Sequence, residues 1–507
     1  MDNKIDSAVD EIKKALSSDG VAINNAGIDT TSGGYGLDMV GAAAVLKINT
    51  PFIDELLPTL DAGGTGLAAQ YWSVNAKTGR MGGVFGSTGD GLRGGVMSLD
   101  AVLGGATYKT IAVDGVVTDE ARLIEEGVMD GLSLNVQAAL IEAKRIHNAQ
   151  CLFGRTTSAS DIYAPGGIGS TGAVTVSVAS SGGSIAAGTY SVKAVALAGM
   201  GYYKTRRWVP NSTSFPASAG SEILDRTITN GDGSTVTQKG GAAIISAAAS
   251  TGAISGSANV INASVAPVAG ALGYAWFVGV AGSEVYQGTT GVAHVSLLSL
   301  QSGTQAAAGN FVSDNSADAL DHDGLLTRMA MSDAGSRIIT LTNGSGLTPT
   351  TDGGIAEMNA IFAGFYQDFD GYSPEYILTN GKGKLAISKA LTDNSVKASK
   401  VVYMRQVGQE FSAGNDATPV YNAIAGTSLP VYVDPYLPDG VILFGTKSIP
   451  SQYAANLSAP VAFRTRQNWK AEVWARRTRR WENTVSLNGA LITPWRAGFG
   501  ALLNVEV

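Results

Sequence analysis

The chain has 507 residues, 45% hydrophobic and 15% charged, with a net charge of −7. The charged share lies well below the ~25% usual in globular proteins, and the acidic balance speaks against a generally cationic nucleic-acid binder. Cys151 is the single cysteine, which excludes an intrachain disulfide and fits a reducing compartment.

At ~150 residues per domain the length suggests about three domains. The N-terminus, "MDNKIDSAVDEIKKALSSDG", places Ile5, Val9, Ile12 and Leu16 at helical spacing. It reads as a small amphipathic helix, not a signal peptide. A glycine-rich extended stretch and "PFIDELLPTL" follow. "GLAAQYWSV" (Gly66–Val74) and "TYKTIAVDGVV" (Thr107–Val117) read as the two strands of a long excursion. Between them lie glycines and the isolated charges Lys77, Arg80, Asp90 and Arg93. The excursion has too few apolar residues for a core of its own, so it is expected to lie on a neighbouring subunit.

A long helix is expected next, capped by Asp119 and running to Gly154. Leu132, Val136, Ala139, Ala143 and Ile146 form its apolar face, and Gly127 and Gly131 should bend it or admit another backbone. Its length would be on the order of 50 Å. Residues 155–318 then change character: no charge appears between Lys239 and Glu284. "GTYSVKAVA" and "GALGYAWFVG" alternate like strands, with Tyr274 and Trp276 on one face. They resemble phrases of immunoglobulin-like or fibronectin type III-like sandwiches. The apolar run 260–282 carries Asn262, Pro267 and several glycines, so no membrane span is read.

Ile355, Met358, Phe362, Phe365 and Phe369 mark the core stripe of a helix over 353–369. "PEYILTNGKGKLAISKAL" (Pro374–Leu391) reads as strand, turn and helix start, and a strand–corner–strand passage lies in 425–450.

Chemistry is sparse. The histidines are three, His147, His294 and His322. His147 and Cys151 stand one helical turn apart, but two ligands do not close a metal site. "DHDG" (Asp321–Gly324) lacks the spacing of a calcium loop and reads as a loop or cap. "NGKGK" (Asn380–Lys384) fails as a phosphate loop because Gly383 stands where Ser or Thr is required. "GSTGDGLRGG" (Gly86–Gly95) opens no helix, and "GSG" (Gly344–Gly346) is no nucleophile elbow. No nucleophile, base and orienting group assemble, so neither an enzyme nor a cofactor is expected.

The order of these elements, the helix ending "AQCLFG" and above all "GTSLPVYVDPYLPDGVILFG" (Gly426–Gly445) resemble the major capsid proteins of tailed double-stranded DNA bacteriophages, the Hong Kong 97-type fold. The resemblance covers 1–154 and 319–507. It implies an α+β fold: an N-terminal helix and N-arm in 1–65, an extended loop in 66–118, a spine helix in 119–154, and peripheral and axial domains in 319–507. Residues 155–318 would be an inserted immunoglobulin-like β-sandwich. The implied role is a self-assembling icosahedral shell of hexamers and pentamers around non-specifically packaged DNA, built in the bacterial host cytoplasm. A separate scaffolding protein, a portal and a decoration protein are implied partners, and no membrane or cofactor.

Pro430, Pro435, Pro438 and Gly440 would fix a rigid corner between strands, so that identical surfaces meet at one curvature. Lys77, Arg80, Arg93, Arg464, Arg466, Arg476, Arg477, Arg479 and Arg480 are candidate intersubunit contacts. The arginines interleave with Trp469, Trp474 and Trp481, a pattern that can also hold nucleic acid. Pairing with acidic groups on neighbouring subunits is preferred, because the chain is acidic and a shell should not grip moving DNA. No Lys–Asn cross-link from Lys77 or Lys109 is expected. The inserted domain should sit outside, toward host surface or glycans, and its replacement by a linker should leave shells intact. A tail-tube, sheath or surface-layer protein, and a carbohydrate-active enzyme with a sandwich module, are the alternatives.

Overall fold

The computed structural model describes residues 34–38, 49–61, 66–78, 90, 98–121, 131–157, 165–212, 215–229, 233–301, 303, 305–331, 335–351, 354–369, 371–392, 405–407, 410–412, 419–450, 459–474 and 479–506. The expected N-terminal helix, Gly127, Arg80, Arg93, Arg476 and Arg477 lie outside these, and Lys77 is described in its backbone alone.

Two strands near the C-terminus, Ala462–Trp474 and Arg480–Ile492, form a long antiparallel ladder. Gly34–Asp38 extends it on one side and Lys109–Thr118 on the other, both antiparallel, while Thr59–Asp61 pairs in parallel with Ala462–Trp474. The long helix, described over Gly131–Phe153, crosses this sheet and is about 35 Å long. Its buried residues Val136, Ala139, Leu140 and Ala143 meet Ala471 and Val485. That is the face expected from the sequence, with Leu140 added and with Leu132 and Ile146 only half-buried. Gly115 lets the helix approach, since a Cβ there would stand 1.7 Å from Asn135 Oδ1. The Thr118 hydroxyl accepts from Ala121 N at 3.3 Å, while the Asp119 carboxylate, expected as the cap, takes the Trp481 indole N–H at 3.0 Å.

The excursion differs from its sequence reading. Ala68–Thr78 pairs with Ser98–Thr107, not with the strand predicted at Thr107–Val117. That segment belongs instead to the long ladder, against Arg480–Gly489. The chain turns over at Tyr108, and the excursion is a two-stranded ribbon closed on itself.

A second, mixed sheet has the order Arg337–Thr340, Phe499–Leu503, Ile442–Gly445, Tyr376–Thr379, Val431–Val433. Its central strands are buried on both faces, as strands in covered mixed sheets are. Tyr376, Leu378, Leu443 and Phe499 join one core. Ile377, Ile442, Phe444 and Leu502 join another beneath the helices Ala356–Asp368 and Gly381–Thr392. The stripe Ile355, Met358, Phe362, Phe365, Phe369 lies in that core, as its period requires. Asn380 Oδ1 accepts from Gly383 N at 2.8 Å and starts the second helix.

Residues 165–318 carry two antiparallel sheets around a shared core. One has the order Ala249–Ile254, Gly188–Leu197, Gly273–Gly279, Val285–Thr290; the other His294–Leu297, Val260–Val265, Val174–Ala179. Val192, Ala194, Tyr274, Trp276 and Val278 face the interior between the sheets. Val195, Leu197, Ala275 and Phe277 face the opposite way, under Phe215, Ile223 and Phe311. Burial of both faces of the four-stranded sheet accounts for its scarcity of charge; its Lys193 pairs with the buried Glu284 at 3.2 Å. The strand order is not the ABED/CFG order of immunoglobulin constant domains.

Candidate assembly surfaces and the seat of the inserted domain

The ribbon has one rooted face and one open face. Ala69, Tyr71 and Ala106 are buried against Ala462, Ala490 and Ile492 of the long ladder, and the Arg328 guanidinium donates to the Tyr71 hydroxyl. On the other face Trp72 is 55% exposed and its direct cross-strand partner Leu103 is 39% exposed. Leu67, just before the first strand, is 84% exposed.

The basic hairpin is less uniform than its sequence. Arg466, Arg479 and Arg480 are exposed and Arg464 is half-buried. Arg479 Nε stands 4.0 Å from Asp119 of its own chain, and Lys470 pairs with Glu472 in its own strand. Among the described residues no ion pair is formed by Arg464, Arg466 or Arg480. The tryptophans serve the fold. Trp469 lies edge-on to His147 at 6.0 Å, and Trp474 donates to Thr484 Oγ1 at 2.6 Å.

The proline corner has a role that the sequence did not disclose. Asp434 caps it from within: its Oδ1 accepts from Tyr436 N at 2.9 Å and its Oδ2 from Asn148 Nδ2 at 3.0 Å. Pro430 O accepts from Ile377 N at 3.0 Å and begins the pairing of the following strand, Val431–Val433, with Tyr376–Thr379 of the second sheet. Beyond Pro438, Asp439 accepts from Asn380 Nδ2 at 2.6 Å and from Lys382 Nζ at 2.7 Å. Gly440 has φ +81°, and a Cβ there would lie 2.9 Å from Val292 Cγ1 and 3.0 Å from Val505 O.

Onto this corner the sandwich is seated. Arg206 NH1 donates to Pro435 O at 2.7 Å, and its guanidinium stacks 4.6 Å from the Tyr436 ring centre and 4.8 Å from that of Tyr203. Asp439 N donates to Tyr202 Oη at 3.2 Å. Elsewhere along the seam, Ala293 N donates to Asn504 Oδ1 at 2.7 Å, Asn343 Nδ2 donates to Val265 O at 2.9 Å, and His294 faces Glu506 at 2.9 Å. Met200 and Leu272 of the insert share a core with Phe153, Leu326 and Leu443. The two ends of the insert meet where Asp318 N donates to Arg155 O at 2.9 Å.

"DHDG" is a buried loop against the helix C-terminus. Gly324 N donates to Gly154 O at 2.8 Å, Thr156 N to Asp323 Oδ1 at 2.9 Å and Gln150 Nε2 to Asp321 Oδ1 at 2.8 Å. A Cβ on Gly154 would stand 2.3 Å from His322 O. His147 Nδ1 lies 3.5 Å from Cys151 Sγ in the core, with Phe463 4.4 Å away. Burial pulls His147 down to about 3 and His322 to about 4, and pushes the Cys151 thiol up. All three are uncharged core groups at neutral pH. Among the described residues no group of three or more His, Cys, Asp or Glu could hold a metal ion, and no helix is long and apolar enough to cross a membrane.

Arg206, Asn148, Gln150 and Asp434 escaped the sequence reading, which took Asp321 only as part of a loop or cap. The one available signal was "YYKTRR" (Tyr202–Arg207), a basic cluster inside an otherwise charge-poor insert.

No family model and no curated protein matches the chain. Among solved structures it is similar to one from Mycobacterium phage Bobi, at 9% identity over 90% of each chain with a TM-score of 0.39. It is also similar to the satellite phage P4 procapsid including size determination protein, at 8% identity over 98% of each chain with a TM-score of 0.39. The capsid of a native GTA particle gives 9% identity, coverage of 91% of this chain and 92% of that one, and a TM-score of 0.37.

Proposed function

We propose that the protein is the major capsid subunit of a tailed double-stranded DNA bacteriophage and acts by packing against copies of itself into a closed icosahedral shell. The observation that carries this reading is the ribbon. Its inner face is rooted in the body while Leu67, Trp72 and Leu103 stand in solvent, and a ribbon of two strands that presents an aromatic–aliphatic pair outward needs a covering surface. The sequence of the corner, "GTSLPVYVDPYLPDGVILFG", supports the same family, as does the lack of convergent catalytic groups in the sequence.

In this reading the arm, the ribbon with Lys77, Arg80 and Arg93, and the hairpin arginines Arg464, Arg466, Arg476, Arg477, Arg479 and Arg480 make the intersubunit contacts of hexamers and pentamers. The scaffold, the portal and a decoration protein are the other partners, DNA is enclosed without sequence preference, and assembly takes place in the bacterial cytoplasm. The sandwich faces outward toward host surface or glycans. The immunoglobulin likeness extends to its two-sheet architecture and not to its strand order.

Electron microscopy of the purified, assembled protein tests this. Closed shells with outward protrusions are expected. Tubes or sheets would favour a tail or surface-layer protein, and dispersed particles that cleave glycans would favour an enzyme; either result overturns the proposal.

A further inference from the structure

One hairpin of the two-sheet domain belongs to neither of its sheets. The strands Arg226–Thr229 and Thr235–Gln238 are antiparallel and, among the described residues, pair only with each other. Their base is fixed. Lys239 Nζ donates to Asp225 Oδ2 at 2.7 Å and to Asn315 Oδ1 at 3.2 Å, and Lys239 N donates to Asp318 Oδ2 at 2.8 Å. Beyond that base every residue of the first strand is exposed, Ile228 at 40%. In the second strand Val236 and Gln238 are half-buried, so Arg226–Thr229 carries the open edge. Proteins usually blunt such an edge with charge, proline or a bulge. This edge reads "RTIT": its charge stands at the base, it has no proline, and its register does not shift. A ribbon of two strands is marginal alone and is made stable by further strands.

We propose that this hairpin is a self-pairing arm, in which Arg226–Thr229 meets the same strand of a second copy, antiparallel, across a two-fold axis. The inference rests on the shell reading for bringing copies together, and adds to it a contact made by the two-sheet domain.

The strand's own chemistry selects a second copy as the occupant. A two-fold axis perpendicular to the sheet sets one residue opposite itself and its neighbours crosswise. Centred on Ile228, the pairing sets Ile228 against Ile228 of the partner subunit and Thr227 against Thr229 of the partner subunit. Within the chain Ile228 already faces Val236, Thr227 faces Thr237 and Thr229 faces Thr235. The joined hairpins then carry an apolar row, Val236 and Ile228 from each copy, between two rows made of threonine alone. Opposed β-branched residues and opposed threonines are favourable cross-strand pairs. Arg226 falls about 14 Å from its own symmetry mate, four residues along the ladder, whereas parallel pairing would set the two arginines side by side. The two-fold also closes the contact, with the half-buried strands outermost, so that copies do not add without end.

Cysteine cross-linking in assembled particles tests the pairing. Cys151 is the single cysteine and is buried, so an introduced thiol reacts alone. Opposed residues of an antiparallel pair stand about 4.5–5.5 Å apart, within disulfide reach, whereas the Val236 positions of the two copies would be three strand spacings, about 14 Å, apart. Under mild oxidant Ile228→Cys should therefore give disulfide-linked dimers at least about tenfold more readily than Val236→Cys. The double variant Thr227→Cys, Thr229→Cys should link as well and reads the register on the opposite face of the ladder. These residues of the first strand are exposed, so the variants should melt with the parent protein. Shells that form normally with no dimer in Ile228→Cys, or with equal dimer in Val236→Cys, overturn the pairing and leave the shell reading standing. A parent protein that makes no particles overturns both.

Discussion

The ribbon and the sandwich both leave the body as excursions, yet they are attached in opposite ways. The ribbon holds on by one strip, Ala69, Tyr71 and Ala106, and turns Trp72 and Leu103 away from its own chain. The sandwich turns its seam inward and shares a core with the body through Met200 and Leu272. It also closes polar contacts at Pro435, Asp439, Val265 and Asn504. The first arrangement leaves apolar surface for another molecule to cover. The second buries apolar surface at the seam, and makes the body's corner depend on the two-sheet domain. A stretch that reads as separable in sequence is thus no appendage in structure.

The largest test of that contrast is removal. From sequence, residues 157–316 should be replaceable by a short linker, because their ends are adjacent. Adjacency holds, but the seam reverses the expectation. Without the insert, Tyr436 and Leu437 lose their cover, the Pro435 carbonyl loses Arg206, and Leu443 loses core neighbours. We expect the linker variant to be recovered as insoluble or molten protein. Circular dichroism and thermal melting check it; a cooperatively melting subunit would show that the sandwich is an appendage after all.

A smaller probe compares two glycines of the corner region. Gly440 and Gly426 both have positive φ, at +81° and +68°. Around Gly426 nothing lies within 4 Å, whereas Gly440 sits between Val292 of the insert and Val505 of the body. Gly426→Ala should cost about 1 kcal/mol from the backbone alone. Gly440→Ala adds the clash and should cost about 2–3 kcal/mol. Denaturant midpoints measure the difference, and equal costs would mean that Val292 gives way freely.

What the sequence made legible follows from range. The helix stripe from Ile355 to Phe369 and the faces of Tyr274 and Trp276 are local periodicities, and the structure has them. The strand at Lys109–Thr118 was also visible, but its partner was not, because Arg480–Ile492 lies far away in the chain. Its apparent partner was nearer, and the true return strand, "SLDAVLGGAT", hides behind two glycines and has no clean alternation. The turn at the corner was marked by Pro435, Pro438 and Gly440, and Gly440 has φ +81°. The seam was not, since Arg206 with Pro435 and Tyr202 with Asp439 join segments distant in sequence. The basic run from Arg464 to Arg480 read as one surface. In the fold its tryptophans pack or donate inward, and Arg479 has an acidic neighbour in its own chain.

The smallest expected change in the subunit is on the ribbon. Trp72 and Leu103 face each other across the ladder and are partly solvated, at 55% and 39% exposure, so replacing both by Thr keeps β propensity and removes only part of a buried pair. The loss should be about 1 kcal/mol or less, the size of one cross-strand pair. Assembly should respond very differently. If another copy covers this face, the variant forfeits the burial of two large side chains at every contact, about 1.5–3 kcal/mol for each. That loss is repeated around a shell. The double variant should therefore melt with the parent protein yet stay as free subunits or small oligomers, as sedimentation velocity would read. Shells formed at the parental concentration would mean that the open face of the ribbon is bare in the particle. Coupled losses of melting temperature and assembly would place Trp72 in the subunit's own core instead.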